Sequence, residues 1–135
     1  MLLARSGSEV SDYSRLGGHV VLVVEDDRDL REAIVEALRG HGYEPRCAVD
    51  GADALLLIAQ SRPSLTITDL HVPMIDGWEL INKLNGGSIG NSIPTIAISP
   101  TSRTARVPRG VPVFVKPIDL EALLRAVATH LGPPV

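Results

Sequence analysis

Residues 19–42 read HVVLVVEDDRDLREAIVEALRGHG. Val20–Val24 is a short run of four valines and one leucine. A run this short and this rich in β-branched side chains predicts a strand buried on both faces, here expected over His19–Glu25. Beyond it the apolar period changes, and Leu30, Ile34, Ala37 and Leu38 fall on one face of a helix. Asp29 and Glu32 stand in capping-box spacing before that face, and Gly40 and Gly42 follow it as a stop. Strand, acidic turn and amphipathic helix make one βα unit, which points to an α/β domain around a parallel sheet.

The same alternation continues outward. Further strands are expected at Glu44–Val49, Leu65–Asp69, Ile93–Ser99 and Val111–Val115. A second helix is expected from Gly51 to Gln60 with Asp50 as N-cap, and a third from Gly77 behind Asp76, with Glu79 three residues on. The last helix carries Leu120, Leu123, Leu124, Val127, Ala128 and Leu131 in i, i+3, i+4, i+7 rhythm, capped by Asp119 and stopped at Gly132-Pro133-Pro134. Between Pro100 and Gly110 a βα pattern wants another helix, but Pro100, Pro108 and Gly110 bracket a polar segment with room for one or two turns at most. The expected organisation is a leader over 1–18, one domain over 19–132 and a tail over 133–135, in either a stand-alone regulator or an excised terminal domain.

Composition narrows the function classes. With 44% hydrophobic and 21% charged residues, the chain has the apolar side chains that a disordered segment lacks. A net charge of -3 provides no basic stripe for nucleic-acid phosphates, so no direct nucleic-acid binding is expected. Cys47 is the single cysteine, which excludes an internal disulfide and a thiolate metal site; it is expected in the core, in a reducing compartment. MLLAR is too short for a signal peptide and Val20–Val24 too short to span a bilayer, so the expected location is cytoplasmic, away from membranes.

In an open α/β sheet, ligands gather beyond the carboxyl ends of the strands. Reading each strand to its end brings Glu25, Asp26 and Asp27, then Asp69, Ser99 and Lys116 to one edge. Singly, each has an ordinary explanation: Asp27 or Asp29 as a helix cap, Ser99 as a turn cap, Lys116 as a solvated cation. Together, at successive strand ends, they are much less readily accidental. Two carboxylates about 4 Å apart repel by roughly 4 kcal/mol at an effective dielectric of about 20, so the cluster needs a cation or a raised pKa. Hard oxygen donors without thiolates or clustered histidines suit magnesium rather than zinc. With such an ion in place, Asp69 could take a phosphoryl group as an acyl phosphate, with Lys116 and Ser99 on the phosphoryl oxygens.

Four runs, VLVVEDDRDLR, DLHVPMIDGWEL, IPTIAIS and VFVKPIDL, resemble the receiver domain of bacterial response regulators and hybrid histidine kinases over about residues 19 to 131. The resemblance implies a flavodoxin-like doubly wound five-stranded parallel sheet of order 2-1-3-4-5. It implies Glu25 and Asp26 as the acidic pair with Asp26 a direct metal ligand, Asp69 as phosphoacceptor, and the His71 main-chain carbonyl as a further ligand to Mg2+. Ser99 becomes the switch hydroxyl, Lys116 the phosphate-contacting lysine, and Lys116-Pro117 a cis bond. Four departures accompany it: Pro100 follows Ser99 where the family usually has a small residue, His71 and Thr101 occupy positions that vary in the family, and two more concern the fourth helix and Val113. The fourth helix is degenerate, as in one subset of receivers, and Val113 stands where many members carry an inward-swinging aromatic, with Phe114 expected on the opposite, core side.

What the resemblance implies is a phosphorelay domain, not a turnover enzyme, charged by a histidine kinase or histidine phosphotransfer protein and read by an unknown downstream target. Two alternatives stay open. A receiver-like interaction module would signal without phosphate; a magnesium phosphohydrolase would want an acid/base carboxylate two residues after Asp69, where His71 stands.

Overall fold

The computed structural model describes residues 19–71, 79–80, 93–101, 107 and 110–132. All five expected strands form: β1 Val20–Val24, β2 Glu44–Ala48, β3 Leu65–Asp69, β4 Thr95–Ser99 and β5 Val113–Val115. β4 and β5 begin later than their apolar runs, immediately after Pro94 and Pro112, whose missing N–H groups cannot donate to a ladder. The strands pair in parallel in the order β2-β1-β3-β4-β5, as the flavodoxin-like expectation requires.

Three helices are bounded within the described residues: α1 Arg28–Gly40, α2 Gly51–Gln60 and α3 Leu120–Leu131. Asp50 and Asp119 cap α2 and α3 as expected, accepting from the backbone N–H of Asp53 and Ala122. The α1 cap differs from the expectation. Asp27, in an extended conformation, accepts from the N–H groups of Asp29 and Leu30, while Glu32 pairs with Arg28 at 3.1 Å instead of closing a box on Asp29. Gly42 turns the chain from α1 into β2 at φ 88°, a conformation that penalises any side chain with a Cβ. The helix expected from Gly77 lies largely outside the described residues, although Glu79 and Leu80 are helical.

Period-two alternation along the central strands divides the core. Val21 and Val23 join Ile34, Leu38, Ile67, Ile96, Leu123 and Val127 beneath α1 and α3, whereas Leu22 and Val24 join Ala48, Ala54, Ile58, Leu80 and Ile93 beneath α2. β1, β3 and β4 are buried at every position, as expected of strands covered on both faces. Each fully buried Leu or Ile contributes roughly 1.5–3 kcal/mol of transfer free energy, so these strands are the stiff part of the molecule.

The edges are less covered. Cys47 is exposed, contrary to the core position expected of it, because β2 is an edge strand and most of its residues are only partly buried. The Glu44 N–H donates to the His19 carbonyl at 2.8 Å, so the next residue, Pro45, presents its nitrogen to the outside. At the other edge Phe114 packs against the α1/α3 core, as expected, and Val113 packs with Val107 and Val111 on a small cluster around Leu70 and Ala97. In the segment expected to hold a degenerate fourth helix, Pro100, Thr101, Val107 and Gly110 are described and none is helical. Residues 102–106 and 108–109 lie outside the described residues.

Candidate phosphoacceptor and metal site

The strand order reverses between β1 and β3, one leading out to β2 and the other to β4, and the crevice at their carboxyl ends collects the polar groups. Asp69 closes β3 and is 2% exposed. One of its oxygens, Oδ1, accepts the His71 backbone N–H at 2.7 Å, and the other, Oδ2, lies 2.6 Å from Lys116 Nζ. Lys116 reaches it from just beyond β5, where its own N–H donates to the Ser99 carbonyl at 2.9 Å and its bond to Pro117 is cis.

Glu25 follows β1 and is fully buried. Its Oε2 accepts the Asp27 N–H at 3.1 Å; its Oε1 has no hydrogen-bond partner and faces Lys116 Nζ at 3.5 Å. Asp26 is exposed beside it, and oxygens from Glu25, Asp26 and Asp69 all lie within 4.8 Å of one another.

Burial raises the Glu25 pKa from 4.5 to about 7; the Asp27 N–H opposes that rise, the carboxyl of Asp69 adds to it, and the charge of Lys116 lowers it. Burial alone would pull the Lys116 ammonium below its ordinary value. Its hydrogen bond to Asp69 and the charges of Asp69 and Glu25 outweigh that and raise it instead.

These groups fit a divalent ion. Hard oxygens converge, one buried carboxylate oxygen lacks a hydrogen-bond donor, and exposed Asp26 leaves a way in. The structure thus brings together Glu25, Asp26, Asp69 and Lys116 among the expected residues. His71 joins them through its amide, and its side chain is exposed. Ser99 ends the adjacent strand, buried to 1% exposure, but its hydroxyl is turned into its own loop, donating to the Thr101 carbonyl at 2.5 Å and accepting the Thr101 N–H at 3.1 Å.

Sequence reasoning expected Asp27 as a cap or further acidic neighbour and did not single out Arg31. Asp27 acts as the α1 cap and as the donor to Glu25, and Arg31 sends Nη1 back to the Glu25 carbonyl at 2.8 Å. Arg31 ends the run VLVVEDDRDLR, but a side chain reaching a backbone carbonyl six residues back leaves no pattern in the letters. No helix among the described residues is long and apolar enough to cross a membrane.

Comparison with known proteins finds relatives by sequence and by fold. The response regulator MprA of Mycobacterium sp. (strain KMS) is 37% identical over 121 residues, covering 84% of this chain and 52% of that protein. The chain thus spans about half the length of the curated relatives it matches. A putative response regulator from Chloroflexus aurantiacus J-10-fl superposes with a TM-score of 0.74 at 27% identity, over 84% of this chain and 98% of that one. The receiver domain of sensor histidine kinase PA1611 from Pseudomonas aeruginosa PAO1, solved with a magnesium ion coordinated in its active site cleft, has a TM-score of 0.75 at 22% identity, over 85% and 98% of the two chains, and shows the shared fold. The response regulator receiver domain model matches residues 21–128, from the second residue of β1 to within α3, and the chain belongs to that family.

Proposed function

We propose that Asp69 is the phosphoacceptor of this receiver domain and that Lys116 and Ser99 receive the phosphoryl oxygens. The observation that carries this reading is the position of Asp69: nearly buried at the end of β3, 2.6 Å from the Lys116 ammonium and within 4.8 Å of two further carboxylates. The Glu25, Asp26 and Asp69 carboxylates, with the His71 main-chain carbonyl, would hold a magnesium ion, which when bound supplies positive charge to the phosphoryl oxygens.

The donor is a phosphohistidine on a histidine kinase or histidine phosphotransfer protein. A carboxylate oxygen of Asp69 attacks the phosphorus, the P–N bond breaks, and its electron pair leaves with the imidazole, giving an acyl phosphate. Both Asp69 oxygens are engaged beforehand, one by His71 and one by Lys116, so the carboxylate is held in a fixed orientation. Lys116 then shifts from a carboxylate to a phosphoryl oxygen without changing its charge. Ser99 must first release Thr101 before its hydroxyl can donate to the phosphoryl group. That release gives the phosphorylated form a different surface, which a downstream protein distinguishes.

The domain in this reading works in the cytoplasm as a relay and does not turn over a free substrate. Incubation with acetyl phosphate and magnesium, followed by intact-mass measurement, is expected to add one phosphoryl group to the wild type and none to Asp69→Asn. An equal gain in the variant, or no gain in the wild type, overturns the assignment.

A further inference from the structure

We propose that Arg31 is a positioning residue for the metal site, fixing the backbone of the acidic turn so that the Glu25 and Asp26 carboxylates are presented together. This rests on the magnesium reading above. The turn carries Glu25, Asp26 and Asp27 in succession, and adjacent anions tend to spread it open. Four hydrogen bonds hold it closed. Asp27 Oδ1 accepts from the first turn of α1 at Asp29 and Leu30, the Asp27 N–H donates to Glu25 Oε2, and Arg31 Nη1 donates to the Glu25 carbonyl at 2.8 Å.

The first three bonds involve the acidic residues themselves. Arg31 alone of the four donors acts through a cationic side chain. It projects from the first turn of α1 toward the helix N-terminus, the direction helical side chains favour. A guanidinium offers several N–H donors in a rigid plane and does not lose its charge, so it can hold a carbonyl with little reorganisation. With the main chain held by Arg31 and Oε2 held by Asp27, Glu25 has Oε1 left over, and that atom faces Lys116. Arg31 therefore acts on the metal through the turn. Outer groups that orient metal ligands in this way commonly change affinity by about 10–100-fold when removed.

The test is calorimetric titration of the whole chain with magnesium chloride, for wild type, Asp26→Asn, Arg31→Met and Arg31→Lys, with thermal unfolding of each in metal-free buffer. Asp26→Asn is expected to abolish or nearly abolish binding. Arg31→Met, which keeps the apolar stem and removes the donors, is expected to bind magnesium about tenfold more weakly, with Arg31→Lys between it and the wild type. The metal-free melting temperature should move by only a few degrees. If both Arg31 variants bind within about twofold of wild type, the positioning role is overturned while the magnesium reading stands. If wild type binds no magnesium, both fall. If Arg31→Met does not fold, Arg31→Lys decides alone, and wild-type affinity there overturns the proposal. Weakened binding accompanied by a proportionate loss of metal-free stability also overturns it, because a general structural role would then explain both.

Discussion

β3 and β4 are neighbours in register, with Asp69 opposite Ile98, and each ends in a polar residue of the candidate site, but the two ends are held differently. Asp69 is fixed by groups from elsewhere in the chain, Lys116 beyond β5 and Glu25 beyond β1, as well as by the nearby His71 amide. The Ser99 hydroxyl is held by Thr101, two residues on, in a closed local turn. The charged half of the site is thus assembled by the sheet before any phosphate arrives. Under the proposed function the hydroxyl half has to let go of one partner to take another.

This contrast can be broken most directly at Lys116. Removing it in Lys116→Met leaves Glu25 and Asp69 buried without their ammonium, and metal-free stability near neutral pH should fall by about 3 kcal/mol in urea unfolding. Lys116 is 28% exposed, so the loss belongs at the lower end for broken buried pairs. Magnesium should restore more stability to this variant than to the wild type. Unchanged metal-free stability would mean that the charged half is not pre-assembled by the cation.

A somewhat smaller effect with a clear pH signature is expected at Glu25. Its folded pKa of about 7 lies above its ordinary 4.5, so the folded form keeps a proton that the unfolded chain releases. The associated stability is fully present below about 4.5 and is lost as pH rises through about 7. Glu25→Gln should therefore stabilise the metal-free protein by about 2 kcal/mol more near pH 8 than near pH 5. A pH-independent gain would place its origin in packing and not in burial of the charge.

Ser99→Ala should cost about 1 kcal/mol, the worth of a local hydrogen bond between its hydroxyl and the Thr101 N–H. Combined with Lys116→Met it should be additive within about 0.5 kcal/mol, because the two side chains serve different partners. A larger coupling would show that the two halves already communicate without phosphate. The baseline is the exposed Arg28–Glu32 pair on α1, 3.1 Å apart with both side chains mostly in water. Arg28→Ala should change stability by no more than about 0.5 kcal/mol, and phosphorylation of Asp69 should be unaffected.

The parts of the molecule legible from sequence are those governed by local period. Val20–Val24 and the Leu30, Ile34, Leu38 face announce a βα unit because burial on two faces and on one face leave different patterns. The site residues were legible for a related reason: each stands at or just after the end of a strand, so topology gathers them whatever the loops do. Misreadings occur where several residues could play one part or where the deciding fact is distant. Asp27 and Asp29 are both able to cap, and the extended backbone at Asp27 decides between them. Cys47 looks like core until strand order puts β2 at an edge. The turning of Ser99 toward Thr101 depends on a hydroxyl torsion, and the reach of Arg31 on tertiary geometry; neither leaves a trace in residue spacing.

Pro45 has a consequence for how the protein behaves in a crowded solution. A bare edge strand is a template along which another chain can zip, one N–H after another. On β2 the outward position next to Glu44 carries a ring instead of a donor, so that zipper lacks a tooth near its start, and the short strand leaves little length to recover. The flank is thereby protected from fibrous self-association, and concentrated stocks of the protein should stay clear where a Pro45→Val variant slowly turns cloudy.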